Sequence, residues 1–346
     1  MRDMAAFFVL GRLVFMTMKR RFAVLVTGTV LLLCLGLIYA YSILMAPLKS
    51  EFGWGVSDMT LIFALSMIAF TAGNLIAGSI MKQERVLFGF VVGVSMLAAG
   101  FVGCSFVSAE TSLVLVYVLY GIVAAAGIGI IYNIVIPTVT SWFPDMCGLA
   151  QGICLMGFGA GGFLLGPLMT RLYCAVPWRA MFIALGGFYM ALVAASSLLL
   201  RMPRGEIKNE LTARCISTVG PGGADAVVGD MVRQRTFYLL YAFLFLVGSI
   251  GMAVTGLGCE LPLSLGADEM SAAFVIGFVN IGSGLGRFLG GMALDRFGRT
   301  RSMTCIAGIA FAAPVAIFLS LTRASIPIMT LACFLSGAAW GSAVVT

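Results

Sequence analysis

Residues 274–301 read FVIGFVNIGSGLGRFLGGMALDRFGRTR, an apolar run that holds one charge, Arg287, and ends abruptly in Asp295-Arg296-Phe297-Gly298-Arg299-Thr300-Arg301. At 1.5 Å per residue, the root of the Arg287 side chain lies about 12 Å from that polar end, near the middle of a hydrocarbon layer roughly 30 Å thick. An arginine at that depth costs on the order of 2.5–3.5 kcal/mol even on the lenient insertion scale, and such residues face a bundle interior or cavity and mark a substrate or ion pathway. The segment therefore announces a polar task inside a membrane.

The whole chain agrees. Its 346 residues are 61% hydrophobic and only 10% charged, with a mean hydropathy of +1.09, where soluble domains carry about 25% charged residues. This is the composition of an all-α polytopic membrane protein. The net charge of +7 sits in short clusters between apolar runs, so it reads as topology and excludes nucleic acid as a partner. Histidine is absent, which removes the commonest metal ligand and the side chain best suited to proton exchange near neutral pH. The nine cysteines (34, 104, 147, 154, 174, 215, 259, 305 and 333) form no CxxC pair and read as small reduced hydrophobes. No nucleophile–base pair, metal cluster or intramembrane carboxylate pair supports an enzyme. No metal or other cofactor is expected.

Ten apolar runs are long enough to span: 22–46, 58–81, 86–108, 112–138, 148–170, 179–200, 236–262, 270–294, 302–321 and 326–346. Ser57 with Asp58, and Asp268 with Glu269, suit helix starts, since acidic residues are favourable in a first turn. Placing residue 1 in the cytoplasm puts 16 of the 21 basic residues on the cytoplasmic side; Lys49, Arg171, Arg179 and Arg323 fall outside, and Arg287 lies within a span. The expected location is the cytoplasmic (inner) membrane, multi-pass, with a cytoplasmic N-terminus. Residues 1–21 form a cytoplasmic segment, in which the apolar stretch 4–16 reads as an interfacial helix or the product of a misplaced start rather than a cleaved signal. Residues 22–201 form a first six-helix bundle, 202–235 a flexible cytoplasmic linker containing Gly220-Pro221-Gly222-Gly223, and 236–346 a second bundle.

The chain repeats itself. Gly73-Asn74-Leu75-Ile76-Ala77-Gly78 matches Gly286-Arg287-Phe288-Leu289-Gly290-Gly291 at an offset of 213 residues, which implies two related halves of six spans each. With about ten spans present of twelve, the second half is expected to be incomplete.

Gly291-Met292-Ala293-Leu294-Asp295-Arg296-Phe297-Gly298-Arg299 resembles the signature that closes the second helix of each half in the major facilitator superfamily. The fold this implies is two six-helix bundles, the second truncated here. Asp295 can engage a helix N-terminus or a basic group, and Arg296 and Arg299 can hold a gate closed through charge pairs; a plain positive-inside cluster is the alternative. In the first half, Lys82-Gln83-Glu84-Arg85 stands where Asp-Arg-x-Gly-Arg belongs. Three stretches resemble the oxalate–formate antiporter group, relatives of the monocarboxylate transporters. They are Gly36-Leu37-Ile38-Tyr39-Ala40-Tyr41-Ser42 with Ala46-Pro47-Leu48 and Glu51-Phe52-Gly53-Trp54; Gly127-Ile128-Gly129-Ile130-Ile131-Tyr132-Asn133 with Trp142-Phe143-Pro144-Asp145 and Gly148-Leu149-Ala150-Gln151-Gly152; and Pro177-Trp178-Arg179. Met146-Cys147 departs from the pattern, where a basic residue usually precedes Gly148.

In that group an arginine eight residues before the signature aspartate binds the substrate carboxylate, and Arg287 matches it, with Asn280 seven residues earlier. The resemblance thus implies a secondary transporter of small organic anions such as oxalate, formate or pyruvate, working by alternating access. A structural arginine bonded to a backbone carbonyl is the alternative for Arg287. The charge census speaks independently: none of the 14 acidic residues falls in the middle third of a span. The missing negative charge at that depth is most simply the substrate, for which a guanidinium offers a planar bidentate match. Proton-linked relatives carry an aspartate where this chain has Ser283, so exchange or facilitated uptake is expected over proton symport.

Tyr39, Tyr41, Tyr132 and Asn133 fall in spans one and four, which line the cavity in this superfamily, and Trp340 is a further cavity candidate; interfacial belts or packing are the alternatives for the aromatics. The run Gly157-Phe158-Gly159-Ala160-Gly161-Gly162 resembles the fifth-span antiporter motif in part, while packing and kinking explain it equally. The expected partners are a small carboxylate and the lipid bilayer, with the carrier a monomer. A truncated, non-transporting remnant or a membrane interaction subunit is the competing expectation, because a lysine in span eleven of oxalate carriers has no counterpart here.

Overall fold

Within hydrocarbon, backbone N–H and C=O groups find no water, so a spanning segment must close its hydrogen bonds internally. This chain takes the helical solution: among the described residues every regular element is a helix. The structure, a computed structural model, describes residues 2–82, 85–108, 113–203, 233–256, 260–267 and 269–345. Most of the 202–235 linker lies outside them, as do Cys215, Cys259 and the predicted helix start at Asp268.

The elements are α1 (Arg2–Leu35), a 3₁₀ turn (Gly36–Ala40), α2 (Tyr41–Phe52), α3 (Val56–Lys82), α4 (Val86–Cys104), α5 (Leu113–Val116), a π-helical segment (Tyr117–Ala124) and α6 (Ala125–Thr140). They continue as α7 (Cys147–Ala175), α8 (Trp178–Leu199), α9 (Arg235–Gly256), α10 (Glu260–Ser264), α11 (Glu269–Phe297), α12 (Arg299–Thr322) and α13 (Ile326–Ala343). Among the described residues, eight stretches, running from Met18–Tyr39 to Ile326–Ala343, are long and apolar enough to cross a membrane. The N-terminal part of α9 (Arg235–Gly251) is a shorter apolar helix, and α11 runs for 29 residues.

Three details differ from the sequence expectation. Residues 4–16 do not stand apart but belong to α1, one helix from Arg2 to Leu35. The expected span 22–46 is broken at Gly36–Ala40, where Gly161 of α7 lies against Leu33 and Gly36, and the chain resumes as α2 with Pro47 inside it. Span four contains the π-helical segment, whose Leu119 and Ala124 press on Gly100 of α4. Within the expected run 236–262, α9 covers Arg235–Gly256 and α10 starts at Glu260, and residues 257–259 between them lie outside the described residues. Asp58 does sit in the first turn of α3, and its carboxylate accepts the Gly55 N–H at 3.0 Å.

Contacts divide the chain into two compact units, Met1–Trp142 with Ala160–Ile207, and Phe143–Gly159 with Lys208–Thr346. The first half of α7 therefore groups with the second unit and its second half with the first. In the first unit α3 packs on α6, and α4 on α6 and α8. Aromatic side chains fill its centre: Phe101 stacks on Tyr189 at 5.6 Å and meets Tyr120 edge-on at 5.9 Å, while the Tyr189 hydroxyl donates to Cys34 O at 2.7 Å. In the second unit α13 is the hub, packed on α11, α12 and α9. Its core consists of small and branched residues, including Val247, Ile306, Ala310 and Ala339. Among the described residues Cys34, Cys104, Cys147, Cys154, Cys305 and Cys333 are in no disulfide; four are buried, and Cys147 and Cys305 are exposed.

Candidate functional site

Two faces of α11 meet two neighbours, and glycine spacing decides which. On one face Gly282, Gly286 and Gly290 recur every fourth residue, so they stack along one side of the helix. A Cβ added at any of them would fall under 3.0 Å from Phe334 O, Ala338 O or Ser342 Cα of α13. The fit is reciprocal, since Gly337 and Gly341 of α13 abut Val279 O and Ser283 O in the same way. Helices approach this closely in membranes only where small residues remove the side-chain layer. Ser342 then reaches back, its hydroxyl donating to Gly286 O at 2.9 Å.

On the other face Arg287, Gly291 and Asp295 recur every fourth residue and meet the first half of α7. Gly148 abuts Gly291 O, Gly152 abuts Arg287 O, and Gly159 abuts the Arg287 guanidinium itself. Glycines at 148, 152 and 159 lie on one stripe of α7, and with no Cβ at these three positions the arginine fits between the helices. Arg287 is 9% exposed. Its Nη1 donates to Leu155 O at 2.8 Å, and its buried Nε–H has no acceptor among the described residues. A guanidinium carries five N–H donors and a permanent charge, so the Leu155 carbonyl meets only part of its demand. One turn beyond Gly291, the Asp295 carboxylate caps α7, accepting from Gly148 N at 2.8 Å and Leu149 N at 2.7 Å. An anion against the free N–H groups of a first turn is where the helix dipole favours it. The chain then reverses at Gly298, whose φ of 78° is in the left-handed region that favours glycine. Arg299 starts α12 directly after it.

The remaining candidates distribute as follows. Asn280 is exposed, two turns before Arg287 on α11. Trp340 rests on α9, where Gly248 and Gly251 leave room for its ring. Arg296 lies over its neighbour Phe297 with 5.8 Å from Cζ to the ring centre, and both Arg296 and Arg299 are exposed. In the first unit, Tyr132 meets Phe70 edge-on at 5.2 Å, and Asn133 Nδ2 donates to Asn74 O at 2.6 Å. Tyr39 is 45% exposed in the 3₁₀ turn. The side chain of Tyr41, and residues Gln83 and Glu84 of the first-half signature copy, lie outside the described residues. Within the second unit the structure thus brings together Arg287, Asp295 and the glycine stripe of α7; from sequence alone, Gly148 and Gly152 entered only through the family resemblance, and Gly159 only in a run open to a motif or a packing role. The signal was present in the spacing of Gly148, Gly152 and Gly159, which puts them on one face toward α11.

The internal repeat has a structural counterpart inside each unit. Gly73 of α3 abuts Ala126 O of α6, and Gly286 of α11 abuts Ala338 O of α13. Each motif seats its helix on the next-but-one span, glycine backbone against carbonyl.

The Major Facilitator Superfamily model matches residues 28–346. The chain belongs to the Major Facilitator Superfamily. Among its relatives, an oxalate:formate antiporter of Oxalobacter formigenes is 25% identical over 283 residues, which cover 81% of this chain and 65% of that protein. Monocarboxylate transporter 12-B of Danio rerio is 26% identical over 261 residues, 68% of this chain and 53% of the relative. The chain thus spans between half and two thirds of the length of these relatives. A solved proton:xylose symporter of the superfamily aligns over 95% of this chain and 82% of its own at a TM-score of 0.65 and 14% identity. The fucose:proton symporter of E. coli aligns over 94% of this chain and 87% of its own at 0.60 and 17%. These likenesses show the superfamily fold, and the chain is a multi-pass membrane protein.

Proposed function

We propose that this superfamily member carries small organic carboxylates across the bilayer by alternating access, with Arg287 as the residue that grips the carboxylate. The observation that carries the reading is a guanidinium at mid-span, 9% exposed, with one N–H on Leu155 O and a buried Nε–H lacking an acceptor among the described residues. A buried charge is strongly destabilising unless it is paired and hydrogen-bonded. The nearest acid on the same helix, Asp295, is committed to the start of α7. A substrate carboxylate supplies both the charge and the acceptors. The relatives named for oxalate, formate and monocarboxylates support this substrate class.

Ser283 and the lack of histidine favour anion exchange or facilitated uptake over proton symport. Asp295, Arg296 and Arg299 serve as the gate of the second half, Asn280, Tyr39, Tyr41, Tyr132, Asn133 and Trp340 are further substrate-binding candidates, and the charge bias of the loops argues for a cytoplasmic N-terminus in a cell whose inner membrane holds the protein. Uptake of labelled oxalate, formate and pyruvate into proteoliposomes tests the reading. Transport that depends on Arg287 and is accelerated by anion loaded on the opposite side is expected. Wild-type rates for all three anions in Arg287→Gln would sink the assignment.

A second reading has its own observation: the Leu155 bond and the glycine seat fit an arginine that staples α11 to α7. In that case Arg287→Gln lowers thermal stability while carboxylates fail to stabilise the wild-type protein.

A further inference from the structure

The first unit holds a cavity of about 580 Å³ whose lining has nothing to do with Arg287. Three arginines border it, Arg20 of α1, Arg85 just before α4 and Arg201 just after α8, together with Trp142, Phe88 and Leu200. No aspartate or glutamate is among the described lining residues. All three arginines are exposed, and each stands at the end of an apolar stretch: Met18–Tyr39, Val86–Cys104 and Trp178–Leu199 respectively. They therefore share the level at which the hydrocarbon gives way to the polar interface.

Two contacts hold the arrangement. Arg20 lies over the Trp142 ring with 5.2 Å from Cζ to the centroid, a cation–π contact that holds the guanidinium at the cavity. The Trp142 Nε1–H donates to Arg201 O at 2.8 Å, which fixes the backbone that carries the third arginine. Apart from Ser197 the rest of the wall is apolar, and Leu87 and Phe88 are more than half exposed at its edge. Guanidinium forks match phosphate oxygens, and an apolar wall beside them matches a molecule whose phosphate is attached to hydrocarbon.

We infer that this cavity binds the phosphate headgroup of an acidic phospholipid, with the acyl chains running down the exposed edge of α4 at Leu87 and Phe88. A soluble phosphate would use the arginines but not the wall. The site is distinct from Arg287 in residues and in unit, so it stands or falls independently of the carboxylate reading.

Native mass spectrometry of the detergent-purified full chain tests it, with phosphatidylglycerol and phosphatidylcholine of identical acyl chains as probes. Each arginine near an acidic headgroup contributes on the order of fivefold in affinity. Retention of phosphatidylglycerol over phosphatidylcholine should therefore exceed about tenfold in the wild type, and should fall to parity in Arg20→Gln/Arg85→Gln/Arg201→Gln. A charge-matched control, Lys49→Gln/Arg171→Gln/Arg323→Gln, should retain the preference. Equal retention of the two lipids by the wild type overturns the inference without any variant. So does an unchanged preference in the triple variant, and so does displacement of phosphatidylglycerol by millimolar inorganic phosphate, which would assign the cavity to a soluble anion.

Discussion

Gly159 and Arg287 share one volume: a methyl group on residue 159 would fall under 3.0 Å from Arg287 Nη1, with Cζ at 3.0 Å. The glycine is thus part of the arginine's site. Gly159→Ala should push the guanidinium off Leu155 O, and overpacking of this kind costs about 1–3 kcal/mol. Thermal unfolding in detergent should show that modest loss. Carboxylate uptake in proteoliposomes should fall far more steeply, toward the level of Arg287→Gln. Wild-type uptake in Gly159→Ala would mean that the seat does not serve transport.

The helical architecture and the exceptional position of Arg287 were legible because lipid demands long apolar runs and a lone mid-span charge violates them. The repeat Gly73-Asn74 and Gly286-Arg287 was legible as sequence and reappears as matched glycine-on-carbonyl contacts in each unit. What periodicity could not reveal was the partner of each face. A stripe such as Gly148, Gly152 and Gly159 says that something comes close, and only the packed structure says that it is Arg287 and Gly291. The 3₁₀ break at Gly36–Ala40 and the π-helical segment Tyr117–Ala124 were hidden for the same reason, since contacts from Gly161 and Gly100 lie there and hydropathy is blind to contacts.

Arg287→Lys separates charge from geometry. Lysine keeps the cation but offers a point charge in place of a planar fork. Losing one charge-assisted hydrogen bond costs about 1.5–3 kcal/mol, so the concentration for half-maximal uptake should rise by roughly ten- to a hundredfold while slow transport persists. Arg287→Gln should lose transport altogether. Equal kinetics for the wild type and Arg287→Lys would show that the substrate does not use the fork.

Asp295 caps α7 through two N–H groups, at 2.8 and 2.7 Å. Asp295→Asn keeps one acceptor oxygen and removes the charge from the helix N-terminus, a loss of about 0.5–2 kcal/mol. Unfolding temperature should drop modestly, and Asp295→Ala should drop it further. If Asp295 also serves as a gate, exchange rates in Asp295→Asn will change by more than the stability loss explains. A rate that simply follows stability would leave the cap as its whole role.

Glycines that touch and glycines that do not give the sharpest test of the α11–α13 contact. Gly286 abuts Ala338 O on another helix, so a methyl there must move backbone. Gly308 of α12 has nothing within 4 Å of an added Cβ. Alanine is better than glycine inside a helix by about 0.8–1.0 kcal/mol, so Gly308→Ala should raise the unfolding temperature slightly. Gly286→Ala should lower it, because the overpacking term of about 1–3 kcal/mol exceeds that gain. Gly73→Ala, its repeat partner against Ala126 O, should behave like Gly286→Ala although it lies in the other unit. Opposite signs for Gly73 and Gly286 would break the equivalence of the two contacts, and a neutral Gly286→Ala would mean that α11 and α13 yield where their backbones meet.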